Sequence, residues 1–587
     1  EFRFHQFNFH GWAENTGGQF NFSNVGTGGY DARGNALSTT GDPFASFLLG
    51  QVNTANFTIP AYTSWSDTYN AVYINDTYKV TNRLTLTLGL RFDYQTAWHE
   101  RYNRFSSFDP SAPNPAAGGR PGAMVFAGNG PGLAGTSEFD HPPKDAWGPR
   151  LGFAYRMGDR TVFRGGYGIY YAGVAFGAGT RPTQGFVTNN LAPNVTNGQR
   201  PAFQMDTGFP SSAVTFPPVI TPVVANNQSP VGYVASGLTL PRYQNWSFTI
   251  QRQLSNSLLL DISYTGNHGT RLPTSGGYLG LPANMNNPNI LSLGSALLSS
   301  DINSPAARAA GITAPYPGFT GIVAQALRPY PQYQGIDWRP WPMGNSIYHS
   351  VQIKLDKRFT SGSLFRVFYT RSKLINNGAE SGTISGSTLQ NPVNSQLERS
   401  VSTDDVPNTF VFTYTYHLPF GKTRDSGLVK SLISGWAING LLRYESGRPL
   451  GVTMNNDLSG LLFNSAKRPN AVVGATATVD QGSFDPGSGS YLNKAAWTDP
   501  GPLQFGNAPR QDAHIRGFRN AVEDVSVFKE TMFGERFKWR LEVQGGNITN
   551  RVVFADPNLN WSSGQFGQVS LQANQPRSIQ LGTRIEF

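Results

Sequence analysis

Between Leu84 and Tyr94 every second residue is apolar: Leu84, Leu86, Leu88, Leu90, Phe92 and Tyr94 alternate with Thr85, Thr87, Gly89, Arg91 and Asp93. A period of two sends one class of side chain to each face of an extended strand and does not fit the repeat of a helix. The pattern recurs in Trp246, Phe248 and Ile250, in Leu258, Leu260, Ile262 and Tyr264, and in Val351, Ile353 and Leu355. It returns in Phe410, Phe412, Tyr414, Tyr416 and Leu418, and in Trp436, Ile438, Leu442 and Tyr444. Several runs reach about ten residues, enough at about 3.3 Å per residue and a tilt near 45° to cross the hydrocarbon of a bilayer. Strands of soluble sheets are commonly about half that length.

The composition suits such strands. Charged residues make up 14% of the 587 residues and aromatics 13%, where soluble domains carry roughly 25% charged residues. Mean hydropathy is −0.33, and no apolar run approaches the ~18 residues of a membrane-spanning helix, so helical spans are excluded and a membrane β-barrel is not. The absence of cysteine removes disulfides, thiolate metal sites and a cysteine nucleophile. The net charge of +10 comes from scattered Lys and Arg, without the clusters that read nucleic acid, so no nucleic-acid partner is expected. The sequence opens at Glu1 with neither Met nor a signal peptide, which suggests a mature or truncated piece.

The connections alternate in length. Short ones fall near Val80 to Arg83, Met157 to Arg160, Leu254 to Ser257, Thr360 to Ser363 and Phe533 to Glu535, with a longer member over 420–433. Long ones run over 96–145, 173–242, 267–345, 374–405, 448–520 and 548–576. A bacterial outer-membrane barrel has this asymmetry, with tight periplasmic turns at one rim and large extracellular loops at the other. The expected fold is therefore all-β, a transmembrane antiparallel β-barrel of about 16 strands occupying 1–587 as one domain. Strand centres are expected near 6, 21, 55, 73, 89, 151, 166, 249, 262, 353, 368, 413, 440, 527, 541 and 582, with 42–50 as an alternative short helix. The long loops, rich in Pro, Gly and Asn, are expected to be irregular rather than separately folded.

The last residues carry a second signal. Gln580, Gly582, Ile585 and Phe587 set a polar residue, a glycine and two apolar residues, the second of them terminal, in the pattern by which the barrel-assembly machinery grips a final strand. An ordinary edge strand ending in Phe is the competing reading, but an exposed apolar edge is a hazard that ring closure removes.

The chain resembles the TonB-dependent outer-membrane transporters, Oar-like subgroup. The resemblance rests on Asp42-Pro-Phe-Ala-Ser-Phe-Leu-Leu-Gly50, on the stretch from Tyr73 to Tyr94, on Trp147 to Tyr155, on Tyr264 to Leu272 and on Leu418-Pro-Phe-Gly-Lys422. It implies a barrel of 22 strands, an N-terminal plug, a box that engages the energising TonB-type complex, and a sandwich domain. Against that pattern this sequence corresponds to the C-terminal part, with about six strands expected upstream.

Three apparent motifs fail on context. Gly421-Lys422-Thr423 has Tyr416 where a phosphate loop needs glycine, His99-Glu100 has Asn103 where a zinc helix needs histidine, and Gly128 to Gly132 has no strand-to-helix setting. The eight histidines show no metal-ligand spacing, and His5 and His10, five apart, point to opposite faces of a strand. Neighbouring carboxylates such as Asp404 with Asp405 and Glu523 with Asp524 also diverge, as rim residues do. No cofactor, metal or catalytic residue is expected, and the chain is not read as an enzyme.

Two residue classes carry a functional expectation. Arg91, Asp93, Arg150, Lys354, Arg366, Arg540, Glu542 and Arg584 lie on the polar face of strands and are expected to line the lumen, as structural packing or as a wet conduit. Aromatics near strand ends, among them Tyr94, Tyr170, Trp246, Tyr444 and Trp539, suit interfacial girdles, whereas Trp98 and Trp561 lie in or beside long loops and are expected to contact ligand. The reading is a bacterial outer-membrane transporter barrel, embedded in outer-membrane lipid, that takes up or exports an unknown large extracellular solute. Alternatives are a surface adhesion or interaction barrel and a self-contained passive porin.

Overall fold

The computed structural model of the protein describes the chain apart from residues 11–15, 32–33, 35–36, 38, 173–182, 194–199, 229–230, 235–238, 273–280, 340–343, 360–361, 378–388, 392–393, 421–427, 459, 463–466 and 535. The Gly421-Lys422-Thr423 motif thus lies outside the described residues.

Fourteen strands follow one another along a single hydrogen-bonded path. They are β1 (Phe2–His10), β2 (Tyr62–Lys79), β3 (Leu84–Gln95), β4 (Ala146–Arg156), β5 (Thr161–Tyr171), β6 (Arg242–Ser255) and β7 (Leu258–Leu272). The path continues through β8 (Gly344–Arg358), β9 (Leu364–Asn376), β10 (Asn408–His417), β11 (Trp436–Glu445), β12 (Asn520–Phe533), β13 (Phe537–Gly546) and β14 (Ser578–Glu586). Two short pieces, His99–Glu100 on β2 and Ser400–Val401 on β9, bring the sheet to 16 strands. Every step is antiparallel and joins neighbours in sequence, the meander of an up-and-down barrel. β1 and β14 form the edges of the sheet, and among the described residues no pairing joins them.

The alternation of short and long connections holds throughout. Two of the expected strands do not join the sheet: the segments near 21 and 55 are Gln19–Asn21 and Thr54–Ile59, which pair with each other and with Thr188–Ala192 in a separate small sheet. Their alternation is too short to span a bilayer, so they pair within the loops. Residues 42–50 include the helix α1 (Pro43–Leu48), as the alternative reading allowed. Asp42 caps it by accepting from the Phe44 and Ala45 amides at 2.8 and 3.0 Å, and Pro43 takes the first position, where no amide donor is needed.

The loops differ more from expectation. They are not merely irregular, because the main apolar cores of the molecule lie among them. One core joins Leu298, Ile302, Phe319 and Val323 to Leu458 and Leu461. A second packs Leu450, Tyr491, Trp497 and Phe566. A third gathers Phe108, Met124, Phe126, Tyr333 and Ile336. The cores join residues of more than one loop, as Leu298 with Leu458 and Trp497 with Phe566.

Candidate functional site: the polar face and the loop layer

Register settles which side chains share a face. Leu88 stands opposite Asp76 on β2 and Leu151 on β4, and Leu151 faces Tyr167 on β5. Further along, Ile262 pairs with Ile250 and Ile353, Ile353 with Tyr369, and Tyr369 with Phe410. From Phe410 the row passes to Tyr444. This face is apolar and outward, with Leu88, Leu151, Phe248 and Ile353 each exposed by 40% or more. Glycines on it sit beneath rings. Gly165 lies under Phe153 and Gly266 under Trp246, each pair directly in register, and a Cβ at either glycine would come within 2.4 Å of ring carbon. The ring thus covers backbone that would otherwise lack a side chain against lipid.

The opposite face carries the residues expected in the lumen, and the structure groups most of them as ion pairs. Arg91 Nε donates to Asp93 Oδ1 at 2.7 Å and its Nη2 to Glu1 Oε2 at 2.6 Å, with the Tyr69 hydroxyl completing the cluster. Lys354 Nζ lies 2.9 Å from Asp356 Oδ2, and Arg366 Nε is 3.3 Å from the other oxygen of the same carboxylate. Arg540 Nη2 lies 3.1 Å from Glu542 Oε2 and its guanidinium sits 3.8 Å above the Phe528 ring. Arg150 has no acidic partner among the described residues and lies over Tyr170 at 4.7 Å, which places Tyr170 on this face and not in an outer girdle. Arg584 pairs with Glu586 at 3.0 Å on the edge strand. Glu530, 2.9 Å from Lys538 and 3.7 Å from Arg540, joins this face. It and Asp356 carried the same alternation in the sequence without being singled out there, whereas Glu1, which precedes the first strand, did not.

A cavity of about 610 Å³ opens on this face, lined by Arg366, Thr413, Asn439, Ser526, Glu542 and Gln580 among others. Its wall draws on six consecutive strands, β9 to β14, which span five spacings of about 4.8 Å. The sheet therefore bends about its polar side.

At the loop end the polar face is covered. Trp65 on β2, fully buried, packs against Phe105 at 4.7 Å and shares a cluster with Trp98, Ala127 and Val234. Trp98, expected to contact ligand, is 4% exposed and is a core residue that ties the loop over 96–145 to the strands. Its neighbour Glu100, also fully buried, accepts from the amides of Ser64 and Tyr102 at 2.8 Å and of Arg104 at 2.6 Å. Trp561 is half-buried against the second loop core, with its indole donating to the Lys494 carbonyl at 3.2 Å and the Lys494 ammonium 5.1 Å from the ring.

Surface rings in these loops lie elsewhere. A cavity of about 480 Å³ is lined by Tyr62, Tyr102, Asn103, Arg104, Asn129 and Ile220 with apolar neighbours. Tyr62 and Tyr102 are more than half exposed, and Arg104 stacks on Tyr102 at 5.2 Å. No local sequence pattern marks this site, because it forms only when three loops meet.

Two ion pairs, one buried and one with an exposed carboxylate, hold the loops. Arg468 Nη1 meets Glu398 Oε2 at 2.7 Å, and the second Glu398 oxygen accepts from the Gln390 and Asn391 amides at 3.0 Å. Lys467, 2% exposed, donates to Asp457 Oδ1 at 2.7 Å and to the Gly501 carbonyl at 3.0 Å. Partial burial alone would raise the Asp457 carboxyl, but the Lys467 ammonium and the Leu503 amide outweigh it and hold it below the ordinary value of 3.8. The paired carboxylates of the sequence diverge as expected: Asp405 meets Arg516 at 2.6 Å while Asp404 meets Arg448 at 3.3 Å. Among the described residues no group of three potential metal ligands forms.

At the C-terminus, Ile579, Leu581 and Ile585 fall on the apolar face with Val543 and Trp539, while Gln580, Gly582 and Arg584 fall on the polar one. Phe587, 89% exposed, follows the last strand. A long antiparallel meander, apolar on one face and charged on the other, with turns at one rim and interlocked loops at the other, defines a transmembrane β-barrel of the bacterial outer membrane. The chain belongs to the family of the outer membrane beta barrel domain, whose family model matches residues 1–580.

Comparison with curated proteins gives no match. Among solved structures the chain is similar to the ferripyoverdine receptor of the outer membrane of Pseudomonas aeruginosa, at 10% identity over 90% of this chain and 40% of that one, with a TM-score of 0.35. It is similar to the FrpB iron transporter from Neisseria meningitidis at 11% identity over 90% and 46%, TM-score 0.35. The outer membrane transporter YddB from Escherichia coli matches at 8% identity over 91% and 55%, TM-score 0.37. The chain spans 40% to 55% of the length of these three structures.

Proposed function

We propose that this barrel is the membrane domain of an outer-membrane transporter that takes up or exports a large solute, gated by a plug and energised by a TonB-type partner outside this chain. The observation that carries the reading is the contiguous polar face, where Arg91, Lys354, Arg366 and Arg540 are paired with carboxylates within the wall and which ends beneath loops with cores of their own. Charges already satisfied by neighbours, as Arg91 is by Asp93 and Glu1, leave a hydrated surface that holds a plug or passes a solute without trapping it. The loop cavity at Tyr62, Tyr102 and Arg104 supplies rings, amides and one cation for first contact with the solute. Interlocked loops favour a receptor over an open pore, because the Arg468–Glu398 pair holds two separate loops in one arrangement. The strand ending in Ile585, Glu586 and Phe587 serves as the grip of the barrel-assembly machinery, and the outward aliphatic face meets outer-membrane lipid.

Planar-bilayer recording of the barrel purified together with its plug tests the reading. A gated transporter is silent until its plug is displaced, for example by brief exposure to urea, and then conducts. A steady large conductance from the untreated protein marks a passive porin, and silence after plug displacement marks a barrel that carries nothing.

A further inference from the structure

The outward face is not uniformly apolar, and its charges are mostly of one sign. Among the described residues register places Arg242, Arg252, Lys357, Arg371, Lys373 and Lys529 on it. Only two carboxylates share that face, Asp76 on β2 and Glu523 on β12. The cations avoid the middle of the face and gather towards its ends. On the turn side Lys357 donates to the Ser257 hydroxyl at 2.8 Å and Lys529 to the Ser431 and Ser434 carbonyls, so both are engaged by the protein.

The loop-side group is different. Lys373 stands directly opposite His349, and Arg371 directly opposite Val351, on adjoining strands. All three of His349, Arg371 and Lys373 are exposed. Arg371 donates to Asn408 Oδ1 at 3.0 Å, an uncharged acceptor, and among the described residues no carboxylate pairs with Arg371 or Lys373. His349 is held by the Tyr264 hydroxyl at 2.8 Å, and its ring stacks on Tyr264 with Trp246 5.9 Å away. Immediately below lie Val351 and Ile353, 44% and 40% exposed. Glu523, the nearer carboxylate of this face, is three strands away and already bonded to Tyr444 and Arg551.

We propose that His349, Arg371 and Lys373 form a binding site for the phosphate of a phosphorylated glycolipid in the outer leaflet, with its acyl chains lying over Val351, Ile353 and Ile262. Unpaired cations next to hydrocarbon are costly unless they reach the interface and meet an anion. The Trp246 and Tyr264 rings mark the interfacial depth, and the adjoining long loops put that interface on the outer side. A guanidinium and an ammonium two residues apart on one face of the same strand suit a phosphate, which accepts from both at once. An anionic amphiphile satisfies the cations and the aliphatic strip together, whereas a free anion satisfies only the cations. The site lies outside the lumen and is independent of what the barrel carries.

Native mass spectrometry of the detergent-purified protein with bisphosphorylated lipid A tests this. The double variant Arg371→Gln with Lys373→Gln is expected to weaken binding by about thirtyfold, while Lys357→Gln on the turn side of the same face leaves it unchanged. Wild-type protein is expected to bind the dephosphorylated lipid as weakly as the double variant binds the phosphorylated one, an arm that does not depend on the variant folding. Excess inorganic phosphate is expected not to displace the lipid. Equal binding of phosphorylated and dephosphorylated lipid, equal binding by a folded double variant, displacement by phosphate, or a dimer of this chain with no lipid retained would each overturn the site.

Discussion

At the scale of single residues, face assignment decides what a substitution costs. Leu88 and Thr87 are neighbours, yet Leu88 stands opposite Leu151 on the apolar face and Thr87 opposite Gly152 on the polar one. Leu88→Arg is expected to cost about 2 to 4 kcal/mol, the depth-dependent cost of a cation near mid-bilayer, and Thr87→Arg much less. Urea titration in lipid vesicles measures both, and equal costs would contradict the assignment. Trp98 gives a second case. Buried with Trp65 and Phe105, its replacement by Ala is expected to cost about 3 to 5 kcal/mol of loop stability, read as faster proteolysis of the 96–145 loop, and a variant as resistant as wild type would return Trp98 to the surface. The alternation that predicted Arg91 and Asp93 was legible because strand side chains obey a period of two. Trp98 was misread because burial in a loop depends on chain segments far away in sequence, here Val234 and Trp65, which no local window joins.

At the scale of elements, strands and loops were legible to different degrees. The strand around 89 combines an unbroken alternation with bilayer length, and β3 emerged as expected over Leu84–Gln95. The segments near 21 and 55 shared the alternation but not the length, and pair inside the loop layer instead. Loop architecture was hidden because its cores are assembled from two or three separate loops, as Leu298 with Leu458 shows. One loop element has a pH dependence of fixed sign. Asp457 is held below its ordinary value of 3.8 by Lys467 and Leu503, so its support of the loop is complete above that value and is lost as the pH falls through the lower folded-state value. Hydrogen exchange of amides between 457 and 503 is expected to quicken below pH 3.8, and Asp457→Asn to remove that acid step and leave exchange already faster at neutral pH. An acid step that survives in the variant would assign it to another group.

At the scale of the whole molecule, one sheet separates two environments and one loop layer closes its outer end. The sheet carries an apolar skin, with Leu88, Ile353 and Tyr444 on one face, and a charged opposite face with its own ion pairs. Cations on the skin occur towards its ends, and the polar face bends around a cavity of about 610 Å³. Because the sequence holds no cysteine, single cysteines placed at Thr85, Leu86, Thr87, Leu88, Phe412 and Thr413 report on this arrangement without background. With the protein in lipid nanodiscs open to water at both ends, a water-soluble maleimide is expected to label positions 85, 87 and 413 and to spare 86, 88 and 412 until detergent dissolves the disc. Uniform labelling, or a pattern that ignores the alternation, would contradict a sheet with one face in lipid and the other in water.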